Sequence, residues 1–97
     1  MGPPIYDCPG LTLDELPWGE MSMELRSPLI TGRQHAELLI GGYTYWFSRW
    51  LSGAVECERL AAPSNIEVFS TKPGDTMLAQ ALLIELTKGK TVQDPNL

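Results

Sequence analysis

The chain has 97 residues, a formal net charge of −5 and a hydrophobic content of 43%, which together predict one domain, residues 1–97, with a modest core. No apolar run reaches the roughly 18 residues that cross a bilayer, and the first residues lack the pattern of a secretory signal, so we expect a cytoplasmic protein. One histidine, and two cysteines outside any CxxC pair, argue against a structural metal site and a disulfide framework, and we expect no cofactor.

Negative charge is concentrated near the N-terminus. Five of the twelve acidic residues precede Arg26, the first basic residue, and the seven later ones balance seven basic residues. Residues 1–20 also contain several prolines, so we predict an acidic, proline-rich arm. This distribution argues against nucleic acid as a partner, because phosphate binding requires a basic patch. It suits a partner protein with a basic surface better.

The arm ends in a predicted helical turn and a first strand. Thr12-Leu13-Asp14-Glu15 fits a capping box, and Pro17 limits the helix to about one turn. Alternation of apolar and polar residues predicts a half-buried strand over about 21–27. Thr31-Gly32 then predicts a turn, and residues 92–97 at the far end of the chain are expected to form a frayed tail.

The most informative stretch runs from His35 to Leu51, with Gly41-Gly42 near its centre. Two glycines supply the positive φ angles of a tight hairpin turn, so we predict paired strands over 35–40 and 43–50. One face would hold Ala36, Leu38, Ile40, Tyr43, Tyr45 and Phe47. The other would hold His35, Glu37, Leu39, Thr44, Trp46, Ser48 and Trp50. The alternative is one helix over 32–51, in which the two glycines would cost about 2 kcal/mol relative to alanine.

Two more strands and a helix follow. Alternation predicts strands over 54–60 and 66–71, with a turn over 61–65. Asp75 can cap a helix over 76–88, whose apolar stripe would be Leu78, Leu82 and Leu86. The predicted fold is therefore α+β, an antiparallel sheet of four or five strands with this C-terminal helix packed on one face.

Candidate catalytic groups are few. His35 is the only imidazole, and no spacing ties it to Cys8 or to a serine as a catalytic dyad. Glu56 and Glu58 would lie on one strand face about 7 Å apart, a spacing that any solvated strand also produces. Cys57 is predicted to be buried, and a disulfide with Cys8 would require an oxidising compartment. We therefore predict no catalytic site.

The sheet face opposite the helix carries large aromatic residues. Exposed aromatics of this kind anchor protein interfaces. The predicted partner-binding residues are Trp46, Trp50, Leu39 and Glu37 of this face and Trp18, Asp14 and Glu15 of the arm. The alternative is that the arm folds across this face and completes the core through Ile5, Tyr6, Leu11, Leu13 and Trp18.

The first functional hypothesis is a non-catalytic protein-binding module, a small stoichiometric inhibitor or adaptor. Small size and a lack of catalytic motifs favour an accessory protein of phages or mobile elements that acts in the host cytoplasm, although no residue identifies that origin. The second hypothesis is a structural subunit of a homo-oligomeric assembly, such as a virion, with the tryptophan face buried between copies. The third is a small enzyme that uses His35. We expect no contact with a membrane.

Overall fold

A computed structural model of the protein describes residues 9–26, 29–61 and 64–96. It has an antiparallel sheet and one C-terminal helix, which confirms the predicted fold class. In chain order, the elements are a one-turn 3-10 helix (Leu13–Glu15), strands β1 (Ser22–Arg26), β2 (Leu29–Ile40), β3 (Tyr43–Trp50), β4 (Val55–Ala61) and β5 (Ser64–Ser70), helix α1 (Thr76–Thr87) and strand β6 (Val92–Gln93). Strands β1 to β5 pair in sequence order, and β6 pairs with β2 on the edge that β1 also occupies.

The central hairpin forms at the paired glycines, as predicted. Gly41 and Gly42 have φ angles of 58° and 88°, which connect β2 to β3 in two residues. Ile40 pairs with Tyr43, and the register continues to Ala36 opposite Phe47. The alternative of a single helix over 32–51 is therefore wrong.

The hydrophobic core lies between the sheet and α1. Alternate residues of β2, β3 and β4 point toward the helix, and the sheet side that they form is called the core face. Phe47 is fully buried at its centre, with its ring 6.4 Å from that of Phe69. Tyr43 has the same parity but is 53% exposed at the hairpin end, where Arg59 lies 4.9 Å from its ring centroid. The predicted apolar face is thus correct except at this end.

Helix α1 packs through a different line of residues from the one predicted. Its buried residues are Ala79, Leu83 and Thr87, whereas Leu78 is exposed and Leu82 and Leu86 are partly buried. The helix is apolar on more than one side, so periodicity alone does not select the buried line. Asp75 occupies the predicted N-cap position, but its side chain makes no capping hydrogen bond.

The segment from Leu11 to Leu16 docks against α1. Leu11, Leu13 and Leu16 are buried there. The Leu11 backbone N–H donates to Thr87 Oγ1 at 3.0 Å, and the Leu13 N–H donates to Gln80 Oε1 at 2.7 Å. These bonds satisfy backbone groups that burial would otherwise leave unpaired, so this part of the arm belongs to the core.

The capping box at the start of the 3-10 helix forms as predicted. The backbone N–H and the hydroxyl of Thr12 both donate to Glu15 Oε1, at 3.0 and 2.8 Å. These hydrogen bonds favour the ionised carboxylate and lower the pKa of Glu15.

Two predicted turns are placed wrongly. Strand β2 begins at Leu29 and continues through Thr31-Gly32, where Gly32 pairs with Met23. A Cβ atom on Gly32 would lie 2.7 Å from Met23 Sδ, so the glycine permits close side-chain packing and does not make a turn. Strand β4 ends at Ala61 and β5 begins at Ser64, so only residues 62–63 separate them. The turn predicted over 61–65 is therefore too long.

The prediction of a frayed tail over 92–97 is wrong for its first two residues, and Leu97 lies outside the described residues. Val92 and Gln93 form β6, and Val92 is only 2% exposed opposite Ile40. The Gly41 N–H donates to Thr91 O at 2.9 Å, which ties the hairpin turn to the segment after α1. Burial of a β-branched residue and added backbone pairing explain the order of this segment.

Cys57 is buried on the core face, as predicted. Burial raises the pKa of its thiol to about 12, so the group stays protonated at neutral pH and is a poor nucleophile. Cys8 lies outside the described residues, and so does the predicted disulfide alternative. Within the described ranges, no helix is both long and apolar enough to cross a membrane.

Candidate interaction face

The side of the sheet opposite α1 is called the open face. Strand pairing arranges its side chains in rows that cross the sheet. One row consists of Glu37, Trp46, Glu58 and Glu67, and the next consists of His35, Ser48, Glu56 and Ser70. Arg33 and Trp50 pair in a third row. Neighbouring strands are about 4.8 Å apart and successive same-face residues about 7 Å apart, so these groups share a small area.

A groove with a volume of about 660 Å³ runs over this area. The loop before β1 borders it, held to the edge of β2 by the Gly19 N–H, which donates to His35 O at 2.9 Å. Asn96 contributes from the C-terminal segment. The groove is lined by Pro17, Gly19, Arg33, His35, Ala36, Glu37, Trp46, Phe47, Ser48, Glu56, Glu58 and Asn96.

Of the two aromatic residues in that lining, Phe47 is buried and Trp46 has a side chain that is 49% exposed. Its indole N–H donates to Glu37 Oε2 at 3.1 Å, which fixes the ring relative to β2. The polar edge of the indole is therefore engaged within the chain, and about half of the side chain remains available to solvent or to a partner.

Among the described residues that line the groove, carboxylates outnumber cations. Glu37, Glu56 and Glu58 line it together with the guanidinium of Arg33. Burial raises the pKa of Glu56, and the negative charge of Glu58, a side-chain hydrogen bond with Glu58 and the negative charge of Glu67 raise it further, while Arg33 partly opposes these effects. Placing like charges opposite one another across a sheet is unfavourable. The charges of the open face therefore work against the stability of the isolated fold.

We expect Glu56→Gln to stabilise the protein at neutral pH. Because the pKa of Glu56 is raised in the folded state, its ionisation destabilises the fold, fully so above that folded pKa. This stability difference between variant and wild type should shrink as the pH falls through the folded pKa and vanish below the unfolded value of about 4.3. Urea denaturation from pH 4 to pH 8 measures it. An equal stability of the two proteins at pH 8 would contradict the prediction, and Glu85→Gln on α1 controls for the loss of one surface charge.

His35 is exposed, and its Nδ1 lies 3.2 Å from Ser48 Oγ. A hydroxyl beside an imidazole is the first contact of a nucleophile and base pair. Here the two residues are direct cross-strand neighbours, so strand pairing alone accounts for the contact. Among the described residues, no group of three or more His, Cys, Asp or Glu side chains is placed to hold a metal ion.

The structure brings together some of the predicted site residues and separates others. Glu37, Leu39, Trp46 and Trp50 share the open face, as the hairpin register predicted. On the opposite side of the sheet, Asp14 Oδ1 lies 3.6 Å from Arg49 Nη1, and the Arg49 guanidinium lies 4.3 Å from the centroid of the Trp18 ring. Glu15 is engaged in the capping box.

The described part of the arm completes the core, as the alternative predicted, but it does so from the α1 side of the sheet and not across the tryptophan face. Leu11 and Leu13 are buried with the core, and Trp18 packs against that core while its indole N–H donates to Leu13 O at 2.7 Å. Ile5 and Tyr6 lie outside the described residues. Pro17 and Gly19 border the groove, but the described part of the arm leaves about half of the Trp46 side chain exposed.

Several residues of the groove were not predicted as site residues. Arg33 was missed because the strand was expected to begin after it. Glu56 and Glu58 had the right parity, but their distance from Trp46 depends on the pairing of β3 with β4. The sequence did contain one signal for them: the strand that follows the one with Trp46 has two carboxylates, Glu56 and Glu58, on the same face.

Comparison with known proteins assigns no family. No protein-family model, curated protein or solved structure matches this chain. A small α+β fold does not specify an activity, so the chemistry of the open face is what bears on function.

Proposed function

We propose that the protein is a non-catalytic binding module that recognises a partner protein with a basic surface through the open face. The observation that carries this proposal is Trp46, half exposed in the groove and flanked across the strands by Glu37 and Glu58. Tryptophan is among the residues that contribute most to protein interfaces, and such anchors lie near the centre of the contact.

Charge favours a basic partner. Three carboxylates and one guanidinium line the groove, and the whole chain has a net charge of −5. A positive surface would relieve the repulsion among these carboxylates and would be steered toward them during association. Occupying a partner's surface in this way is sufficient for a stoichiometric inhibitor or an adaptor, and it requires no catalytic group.

A second copy of the chain fits the open face less well. In a two-fold symmetric dimer, the same patch contacts itself, so the acidic rows of two copies would be brought together. Like charges in a desolvated contact cost several kcal/mol. This argument favours a different protein as the partner over the homo-oligomeric assembly.

The test compares Trp46→Ala with Met77→Ala. Met77 is 88% exposed on α1, on the far side of the sheet. The two variants therefore each remove a large exposed side chain, one from the open face and one from the opposite side. A partner captured from the native host is purified, and its affinity for each full-length variant is measured by calorimetry. We expect Trp46→Ala to weaken binding at least about tenfold, which is about 1.4 kcal/mol, and Met77→Ala to change it less than about twofold.

Salt dependence supplies a second measurement on the same purified pair. Affinity should fall as the salt concentration rises, because exposed charges are screened. Wild-type affinity in Trp46→Ala, or a loss confined to Met77→Ala, would overturn the proposal. A tight homo-oligomer in sedimentation that buries Trp46 would instead support the assembly.

A further inference from the structure

Three arginine side chains of the described residues each lie close to the face of an aromatic ring. The guanidinium carbon of Arg33 lies 5.7 Å from the centroid of the Trp50 ring, and that of Arg49 lies 4.3 Å from the Trp18 ring. Arg59 lies 4.9 Å from the Tyr43 ring. A cation over an aromatic face is attracted by the ring quadrupole, and the planar guanidinium also stacks on the ring.

Trp46 differs from these three residues. Among the side chains that the structure describes, no arginine or lysine lies over the Trp46 ring. Yet Trp46 is half exposed, and Glu58 lies directly across from it on β4. The open face therefore provides an aromatic surface and adjacent carboxylates without a cation of the same chain on the ring.

We propose that this position receives an arginine side chain of the partner, stacked on the Trp46 ring and paired with the carboxylates of Glu56 and Glu58. The inference rests on the proposed function and names the chemical group that the open face recognises. The two carboxylates lie two residues apart on one strand face, Glu58 in the row that contains Trp46 and Glu56 in the next row.

Arginine fits this site better than lysine does. A guanidinium is flat, so it can stack on an indole while its edge N–H groups donate to a carboxylate in a bidentate pair. A lysine ammonium provides a point charge and no stacking plane. Glu37 is bonded to the indole N–H from β2, and Glu56 and Glu58 line the groove from β4, on the other side of Trp46.

The groove has room for such a side chain. Its volume of about 660 Å³ exceeds what one arginine fills, so backbone flanking the arginine can also enter. The partner group would also offset the negative charge of Glu56, Glu58 and Glu67, of which Glu58 and Glu67 face one another across β4 and β5. Charges that disfavour the free fold thereby favour the complex.

The test uses blocked single amino acids as probes on the full-length chain. N-acetyl-arginine-N-methylamide is titrated while the three indole N–H signals are followed by ¹H–¹⁵N NMR. We expect a saturable shift at Trp46. The changes at Trp18 and Trp50 should be smaller, because an arginine of the same chain already lies over each of those rings. The neutral citrulline analogue should bind at least about fivefold more weakly, and the lysine analogue should also be weaker.

Matched variants locate the carboxylate contribution. Glu56→Gln and Glu58→Gln should each weaken the arginine probe about threefold or more, while Glu85→Gln on α1 should leave its affinity unchanged. Both groove variants can be checked for folding by the dispersion of the same spectra. No saturable shift at Trp46, or equal binding of the citrulline analogue, would overturn the inference.

The result is distinguishable from that of the proposed function. If Trp46→Ala abolishes partner binding but the arginine probe does not bind, the open face is the interface and the arginine inference fails. If the probe binds at Trp46 but partner affinity is the same in Trp46→Ala, the proposed function fails, and with it the assignment of the arginine to the partner. Competition of the probe with the partner supports both.

Discussion

Phe47→Ala is expected to lower the free energy of unfolding by about 3–5 kcal/mol. Phe47 is fully buried in β3, between the pairing partners Ala36 and Cys57 on β2 and β4. Truncation removes its apolar surface and leaves a cavity that the sheet cannot close without losing strand pairing. Since domains of this size have about 5–15 kcal/mol of total stability, the variant should unfold at much lower urea concentration.

Two control variants show whether burial is the cause. Phe47→Leu keeps more of the volume and should cost markedly less than Phe47→Ala. Met77→Ala removes a side chain of comparable hydrophobicity from the surface of α1 and should stay within about 0.5 kcal/mol of wild type. If Phe47→Ala were no more destabilising than Met77→Ala, the packing of α1 on the core face would be wrong.

The hairpin and the chemistry of its two faces were predictable from local physics. The two glycines require positive φ angles, and the residues on each side alternate, so one turn fixes the register of sixteen cross-strand positions from Arg33 to Trp50. The prediction that Trp46 and Glu37 lie on one face followed directly, because it depends only on the alternation of side chains along each strand. The helix was equally local, since its composition and the flanking Gly74 and Gly89 set its limits.

What could not be predicted depends on contacts between distant parts of the chain. The sequence around Gly32 is compatible with a turn, and only the neighbouring Met23 side chain shows why a glycine lies inside a strand. Val92 joins the sheet because an edge of β2 beyond β1 is available to it. Neither fact has a signal within its own window of sequence, so local patterns gave the wrong answer at both places.

The arm illustrates the same limit for the candidate site. Its apolar residues indicated that it docks, but their spacing does not specify which side of the sheet they cover. Hydrogen bonds to Thr87 and Gln80 on α1 decide that question. As a result, Asp14 and Trp18 lie away from Trp46, and the predicted single surface becomes two.

Thr87→Val is expected to lower the free energy of unfolding by about 1–3 kcal/mol. Valine has nearly the same shape as threonine, so packing is preserved at this fully buried position. The change removes the hydroxyl oxygen that accepts from the Leu11 N–H at 3.0 Å, and it removes the donor to Leu83 O at 2.8 Å. The Leu11 N–H is then buried without this acceptor, and that penalty sets the size of the effect.

The measurement combines urea denaturation with hydrogen exchange at the Leu11 amide, which should exchange faster in the variant as the arm separates from α1. Thr76→Val, at an exposed position of the same helix, is the matched control and should change stability by less than about 0.5 kcal/mol. Equal stabilities of the two variants would show that the Thr87 hydroxyl does not hold the arm. Thr87 lies on the α1 side of the sheet, and Gly19, which borders the groove, is held separately by its hydrogen bond to His35 O, so Thr87→Val should also leave partner affinity within about twofold of wild type under conditions where the protein stays folded. A large loss of affinity would mean instead that Asp14, Glu15 or Trp18 belongs to the interface.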